Sequence, residues 1–126
     1  MIEFIAYLLP MNYELLGTLY NKKVEIIEND PICSRNIYDG FSYSSKSKYK
    51  KNILIVCTDA IKRNHGENFS RLINETLTHE AMHIVQSCKS GGYMLPLDNN
   101  SDVETEASSV ESNPQKVINL LNKYCK

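Results

Sequence analysis

Apolar residues change their spacing along this chain, and the changes predict a mixture of strands and helices. Val24 and Ile26 alternate with charged neighbours, and "NILIVC" (52–57) is a β-branched apolar run, so both stretches are predicted to be strands. From about Asn68 the period becomes helical, because apolar residues recur every three or four positions at Ile73, Leu77, Ala81, Ile84 and Cys88. We therefore predict an α+β fold with one long helix against a small sheet.

Turn formers and caps predict the remaining elements of the N-terminal half. "MIEFIAYLLP" (1–10) is expected to be a buried first element, which Pro10 either ends or separates from the next one. Asn12 is a candidate N-cap for a helix through Leu19. We expect "KRNHGEN" (62–68) to be a loop and "YDGFSY" (38–43) to lie near a hairpin.

Similar signals predict helix ends in the C-terminal half. Gly91 or Gly92 ends the long helix. A further helix starts at Ser101 or Asp102, with an acidic residue at the third position of a capping box, and Pro114 starts the last helix.

Size and charge limit the kinds of protein that this chain can be. Its 126 residues predict a single domain spanning residues 1–126. The net charge of −1 gives no indication of nucleic-acid or membrane-surface binding. The apolar N-terminus has no basic residue and is too short to cross a bilayer, so we predict neither a signal peptide nor a transmembrane segment.

The four cysteines, Cys33, Cys57, Cys88 and Cys125, are far apart in the sequence. None forms a C-x-x-C pair, so a zinc ribbon or a thioredoxin-type site has no support. Two disulfides are conceivable, but the spacing does not fix their pairing, and buried free thiols are the favoured interpretation.

The strongest chemical signal is "HEAMH" (79–83), which lies on the long predicted helix. His79 and His83 are four residues apart and share one face, so both imidazoles can bind one metal ion. Glu80 lies beside them and is placed to act as a general base on water. Two imidazoles and a carboxylate suit Zn²⁺, which is the predicted cofactor.

A catalytic zinc site needs a third protein ligand, and the next helix offers acidic candidates. Glu104 is favoured because Ala107, three residues later, would let this helix pack closely on the first. Glu106 points some 200° away from Glu104 on helix geometry and is the second choice. Asp102 is expected either to cap this helix or to orient a ligand histidine.

The same motif occurs by chance in unrelated helices, where the histidines are only solvated. An amphipathic helix with a glycine end and a following acidic helix argues against chance here. His65 lacks a partner at metal spacing and is predicted to be an ordinary surface histidine. Tyr93 is weighed as an oxyanion donor against ordinary packing, which is favoured.

These residues resemble those of the mitochondrial metallopeptidases that process a subunit of ATP synthase and assist its assembly. The resemblance runs from about Cys33 to Val110 and is carried by "TLTHEAMH" (76–83), "ILIVC" (53–57), the position of Cys88, "DGFSY" (39–43) and "ETEASSV" (104–110). Gln86 stands where that family usually has Asp, and Glu106 where it usually has Arg.

The resemblance implies a zincin-like endopeptidase with His79, His83 and Glu104 as ligands and Glu80 as general base. It also implies that Cys57 and Cys88 face each other and could form a disulfide. The function predicted from the sequence is therefore zinc-dependent hydrolysis of a protein or peptide substrate. A non-catalytic, zinc-stabilised chaperone or adaptor of the same fold is the alternative, and a thiol-based redox or disulfide-bonded interaction module is a weaker one.

Overall fold

A computed structural model describes residues 2–34, 38–44, 51–91 and 101–126. Three strands form one sheet: β1 (Glu25–Glu28), β2 (Gly40–Ser44) and β3 (Asn52–Val56). The described α-helices are α1 (Pro10–Asn21), α2 (Thr58–His65), α3 (Phe69–Lys89), α4 (Ser101–Ser109) and α5 (Pro114–Tyr124). Strand β3 lies in the centre, parallel to β1 and antiparallel to β2. The α+β class is confirmed.

Helix α3 is the central element, because it contacts β2, β3 and each of the other four α-helices. The predicted apolar stripe forms its inner face, and Ile73, Leu77, Ala81 and Ile84 are fully buried. Burying such side chains is the main favourable contribution to folding, which explains why the helical period here is so regular. Gly91 follows the helix with φ of 88°, as predicted for a glycine at this end, and Gly92 lies outside the described residues.

The N-terminal segment forms a 3₁₀ helix (Phe4–Tyr7), and Pro10 then occupies the first turn of α1. The prediction that Asn12 caps this helix is wrong. Asn12 lies inside α1 and is buried, and its side-chain amide donates to Asn74 O at 3.2 Å and to Thr78 Oγ1 at 2.9 Å. A buried amide needs such partners, so here it joins α1 to α3 instead of ending a helix.

The loop predicted over residues 62–68 is also wrong. Helix α2 extends to His65, and a short 3₁₀ helix (Gly66–Asn68) follows it. Ala60 and Ile61 give α2 a buried face, although its second half is charged and exposed. One apolar turn is too little to reveal a helical period in the sequence. The hairpin expected near "YDGFSY" corresponds to β2 paired with β3, and residues 45–50 between them are outside the described part.

All four cysteines form disulfides, so the prediction of free thiols is wrong. The pairs are Cys33–Cys57 and Cys88–Cys125, which also corrects the expected pairing of Cys57 with Cys88. Side chains alternate across β3, so Val56 faces the main core while Cys57 lies in a separate cluster on the other face of the sheet. Cys88 packs against the main core, and the sheet therefore separates it from Cys57.

The C-terminal helix matches its prediction closely. Pro114 occupies its first turn, and the side chain of Asn113 accepts a hydrogen bond from Lys116 N as its cap. Val117 and Leu121 are fully buried against the core. Within the described residues, no helix combines the length and the apolar character needed to cross a membrane.

Candidate metal centre

Two successive turns of α3 and one turn of α4 form a cluster of three ligand-type side chains. His79 and His83 lie on the same face of α3, with ring centroids 5.0 Å apart. Glu104 reaches them from α4, with Oε1 2.7 Å from His83 Nε2 and Oε2 3.2 Å from His79 Nε2. One ligand atom from each residue lies within 4.8 Å of the others. The structure thus brings together the three residues that the sequence selected.

The other nitrogen of each imidazole has its own partner. His79 Nδ1 lies 3.2 Å from Glu111 Oε2, and His83 Nδ1 lies 2.7 Å from Gln86 Oε1. The carboxylate of Glu111 can only accept, so His79 Nδ1 is the donor. Glu111 and Gln86 therefore contact the second ring nitrogens, a role predicted for Asp102 as one of two alternatives, the other being a helix cap.

The orientation of the Gln86 amide likewise indicates which ring nitrogen of His83 carries a proton. Gln86 Nε2 donates to Val103 O at 3.0 Å and to Glu106 Oε1 at 2.9 Å. Its oxygen must then face His83, which requires a proton on His83 Nδ1. Glu106, the second choice as a ligand, is held by this amide and is not part of the three-residue cluster.

These assignments have an electrostatic consequence for the centre of the cluster. If both imidazoles are neutral, their Nε2 lone pairs face the Glu104 carboxylate, and this arrangement is repulsive unless a positive charge lies between them. A cation supplies that charge without a second proton, on Nε2, on either ring. His83 Nε2 and His79 Nε2 lie 2.7 and 3.2 Å from different oxygens of Glu104, and one ligand atom from each residue lies within 4.8 Å of the others. Two imidazole nitrogens and a carboxylate oxygen are ligand types that Zn²⁺ takes. The donor set therefore fits a metal ion.

Glu80 lies on the side of α3 that faces the sheet, next to this cluster. It is buried, and its Oε1 accepts a hydrogen bond from Ser42 Oγ at 2.9 Å. Burial raises the pKa of Glu80 from 4.5 to about 7. The nearby His83 and the hydrogen bond from Ser42 oppose that rise, and the charge of Glu104 adds to it. A carboxyl group with a pKa near neutrality can take up and release a proton at physiological pH.

Close packing of β2 on α3 keeps Glu80 in this place. A Cβ atom added to Gly40 would lie 2.7 Å from Thr76 Cγ2, 2.9 Å from Ile55 O and 3.0 Å from Glu80 Cγ. Any side chain at this position would therefore push the strand away from the helix. Gly40 allows the approach that brings Ser42 within reach of Glu80.

Sequence reasoning missed the roles of Ser42 and Glu111. Ser42 lies in a short strand far from the motif, and no spacing rule connects the two. Glu111 follows α4 within an acidic stretch, which marks it as a candidate but does not indicate which ring nitrogen it contacts. Strand β2, which carries Ser42, and the segment between α4 and α5, which carries Glu111, meet α3 only in the folded chain.

His65, predicted to be a surface histidine without a partner at metal spacing, is partly exposed and is not part of the metal-type cluster of the described residues, but it does have a carboxylate partner. His65 Nε2 lies 2.9 Å from Asp39 Oδ2, and both side chains are about one-third exposed or less. The two residues are separated by 26 positions, so no local pattern in the sequence indicates this pair. Tyr93, weighed as an oxyanion donor, lies outside the described residues.

One family model matches residues 4–103, and the family is described as a domain of unknown function, DUF8637. The chain belongs to this family. The matched segment includes Ser42 and "HEAMH" and ends one residue before Glu104. No curated protein and no solved structure matches the chain.

Proposed function

We propose that this protein is a zinc-dependent metallopeptidase with a zincin-like arrangement, similar to the metallopeptidases that process a subunit of ATP synthase. The observation that carries the proposal is the Glu104 carboxylate opposite two Nε2 atoms, next to the buried carboxyl group of Glu80. Two of the three ligands and the base come from successive turns of α3, and the third ligand comes from α4. This places a carboxyl group beside the two histidines, where it can act on an activated water.

His79, His83 and Glu104 would hold the zinc ion, which when bound polarises the scissile carbonyl and lowers the pKa of water to about 7. Glu111 and Gln86 hold the two imidazoles with the proton on Nδ1, so that each Nε2 is a ligand atom. Glu104 has a side chain 52% exposed, so the cluster is open to solvent and to a substrate on that side.

Glu80 has the properties of the general base in this scheme. Its carboxylate takes the proton of the attacking water and passes it to the nitrogen of the leaving amine. Burial raises its pKa to about 7 in the metal-free site, and a bound cation nearby would lower it, which favours the ionised form that accepts a proton at neutral pH. The substrate class that follows is a protein or peptide.

A second candidate is a zinc-stabilised chaperone or adaptor without catalytic activity. It is favoured by the contacts between α3 and α4, since Glu104, Gln86 and Glu106 all contribute to holding the two helices together. A metal ion at this position would strengthen that connection whether or not Glu80 acts as a base.

Metal analysis of the oxidised protein, purified or refolded with zinc, tests the ligand set. We expect about one zinc ion per chain in the wild type, and loss of zinc in His83→Ala and in Glu104→Ala. Glu106→Ala is the matched control on α4 and should retain zinc. A wild-type protein that binds no zinc under these conditions would refute both candidate functions.

Cleavage of fluorescein-labelled casein, an unfolded general substrate, then separates the two candidates. The peptidase proposal expects wild-type activity that a chelator abolishes and that Glu80→Gln lowers by about a hundredfold or more, with zinc content unchanged. Zinc binding without any cleavage by the wild type would favour the chaperone or adaptor.

A further inference from the structure

Strand β2 presents two serines to helix α3, and only one of them contacts the proposed base. Ser42 pairs with Leu54 in the sheet, and Leu54 belongs to the main core, so Ser42 lies on the face that packs against α3. Its hydroxyl is 2.9 Å from Glu80 Oε1 and 2.9 Å from the backbone oxygen of the same residue. Ser44, two residues later, contacts Ser87 Oγ at 2.9 Å instead.

We propose that Ser42 is the positioning residue for Glu80, holding its carboxylate in the orientation that the base requires. This inference rests on the proposed function and deepens it. A glutamate side chain has several rotatable bonds, and the rate at which its carboxylate takes a proton depends on how well it is oriented toward the water. The hydrogen bond from a strand of the sheet fixes the carboxylate from outside the helix that carries it.

Two further contacts make Ser42 a fixed donor. The same hydroxyl is 2.9 Å from Glu80 O, so its single hydrogen is shared between this backbone oxygen and the carboxylate, and both acceptors locate it against α3. Gly40 brings the strand against Thr76 and Glu80 without room for another atom. A buried carboxylate that lost its donor would be left without a hydrogen-bond partner on this side, and it would gain by turning toward solvent.

The first test compares the steady-state cleavage of fluorescein-labelled casein by Ser42→Ala and Ser44→Ala. Hydrogen bonds to charged groups are stronger than those between neutral groups. Loss of this one in Ser42→Ala should therefore lower kcat roughly 10- to 100-fold. The apparent KM should stay within about twofold, and the zinc content should not change. Ser44→Ala removes another hydrogen-bonded hydroxyl from the same face of the strand and should keep the wild-type kcat.

The second test does not depend on activity. In metal-free protein labelled with ¹³C-glutamate, the side-chain carboxyl resonance of Glu80 is identified by its absence in Glu80→Gln. At one fixed pH, this resonance should move in Ser42→Ala, because the variant lacks the hydroxyl 2.9 Å from Glu80 Oε1, and it should stay in place in Ser44→Ala. If Ser42→Ala does not fold, Ser42→Cys replaces it, because cysteine keeps the size of the side chain with a weaker donor. Ser42→Cys should also lower kcat and move the Glu80 resonance.

The two tests separate this inference from the proposed function. An unchanged kcat or an unmoved Glu80 resonance in a folded Ser42 variant would overturn the positioning role while leaving the peptidase intact. If the wild type does not cleave casein although the resonance moves, the peptidase proposal fails, and Ser42 has only a structural contact with Glu80.

Discussion

The buried carboxyl group of Glu80 should make the stability of the metal-free protein depend on pH in a specific way. The perturbation is Glu80→Gln, which keeps the size of the side chain and an oxygen that can accept from Ser42 but removes the ionisation. The folded state holds the proton of Glu80 more tightly than the unfolded chain does, because burial raises its pKa from 4.5 to about 7.

The sign follows from this difference in proton binding. Below pH 4.5 Glu80 is protonated in both states and costs nothing. As the pH rises from 4.5 to about 7, the unfolded chain releases its proton first, so the wild type loses stability over this interval. One pKa unit corresponds to about 1.4 kcal/mol, so the loss reaches about 3 kcal/mol above pH 7. The Gln variant lacks this loss.

Urea unfolding of both proteins, with a chelator present and both disulfides intact, measures the effect. The difference in the free energy of unfolding between the variant and the wild type should grow by about 3 kcal/mol between pH 4.5 and 8. Groups that do not interact with residue 80 cancel in this difference, whereas His83 and Glu104, which interact with the Glu80 charge, do not cancel fully. A constant offset from burying an amide does not affect the slope. A difference that stays flat across this pH interval would refute the reasoning that Glu80 is buried in an apolar environment.

Two further substitutions test the packing and the outer contacts of the site. Gly40→Ala should lower the free energy of unfolding by about 1–3 kcal/mol, since its Cβ would meet the backbone oxygen of Ile55. Its control, Gly17→Ala, lies in an exposed position on α1 with open space around it and should instead raise the free energy of unfolding by about 0.5–1 kcal/mol. Thermal or urea unfolding measures both effects. Glu111→Gln should weaken zinc binding about 10- to 100-fold in a chelator competition, because it replaces the acceptor at His79 Nδ1. The exposed Glu67→Gln is its control, and equal affinities for the two variants would contradict the role of Glu111.

The elements that the sequence predicted correctly are those whose burial repeats over many residues. Helix α3 buries one face over about four turns, so its apolar period is unambiguous. "NILIV" (52–56) is apolar because β3 is the central strand. The ligand spacing of His79 and His83 could be predicted for the same reason, since it depends only on the geometry of this one helix.

Features that depend on contacts between distant segments were missed or wrong. The pairing of Cys57 depends on which face of the sheet it occupies, and this follows from the register of β3 within the fold. Ser42 contacts Glu80 across 38 residues, and Asp39 contacts His65 across 26. Local patterns carry no information about such pairs, because many tertiary arrangements are compatible with the same alternation.

The way in which α4 is attached explains why metal binding alone does not distinguish the candidate functions. Among its described side chains, Ala107 is buried, whereas Glu104 and Glu106 are exposed, so apolar burial contributes little to its docking. Its polar contacts with α3 run through His79, His83 and Gln86. A metal ion bound to Glu104 and the two histidines would therefore also fasten α4, and its binding energy would partly be folding energy. Zinc binding and zinc-dependent stability are expected for a peptidase and for an adaptor alike. Glu80 contributes no ligand atom to the cluster, so the effect of its substitution on cleavage is the property that separates the two.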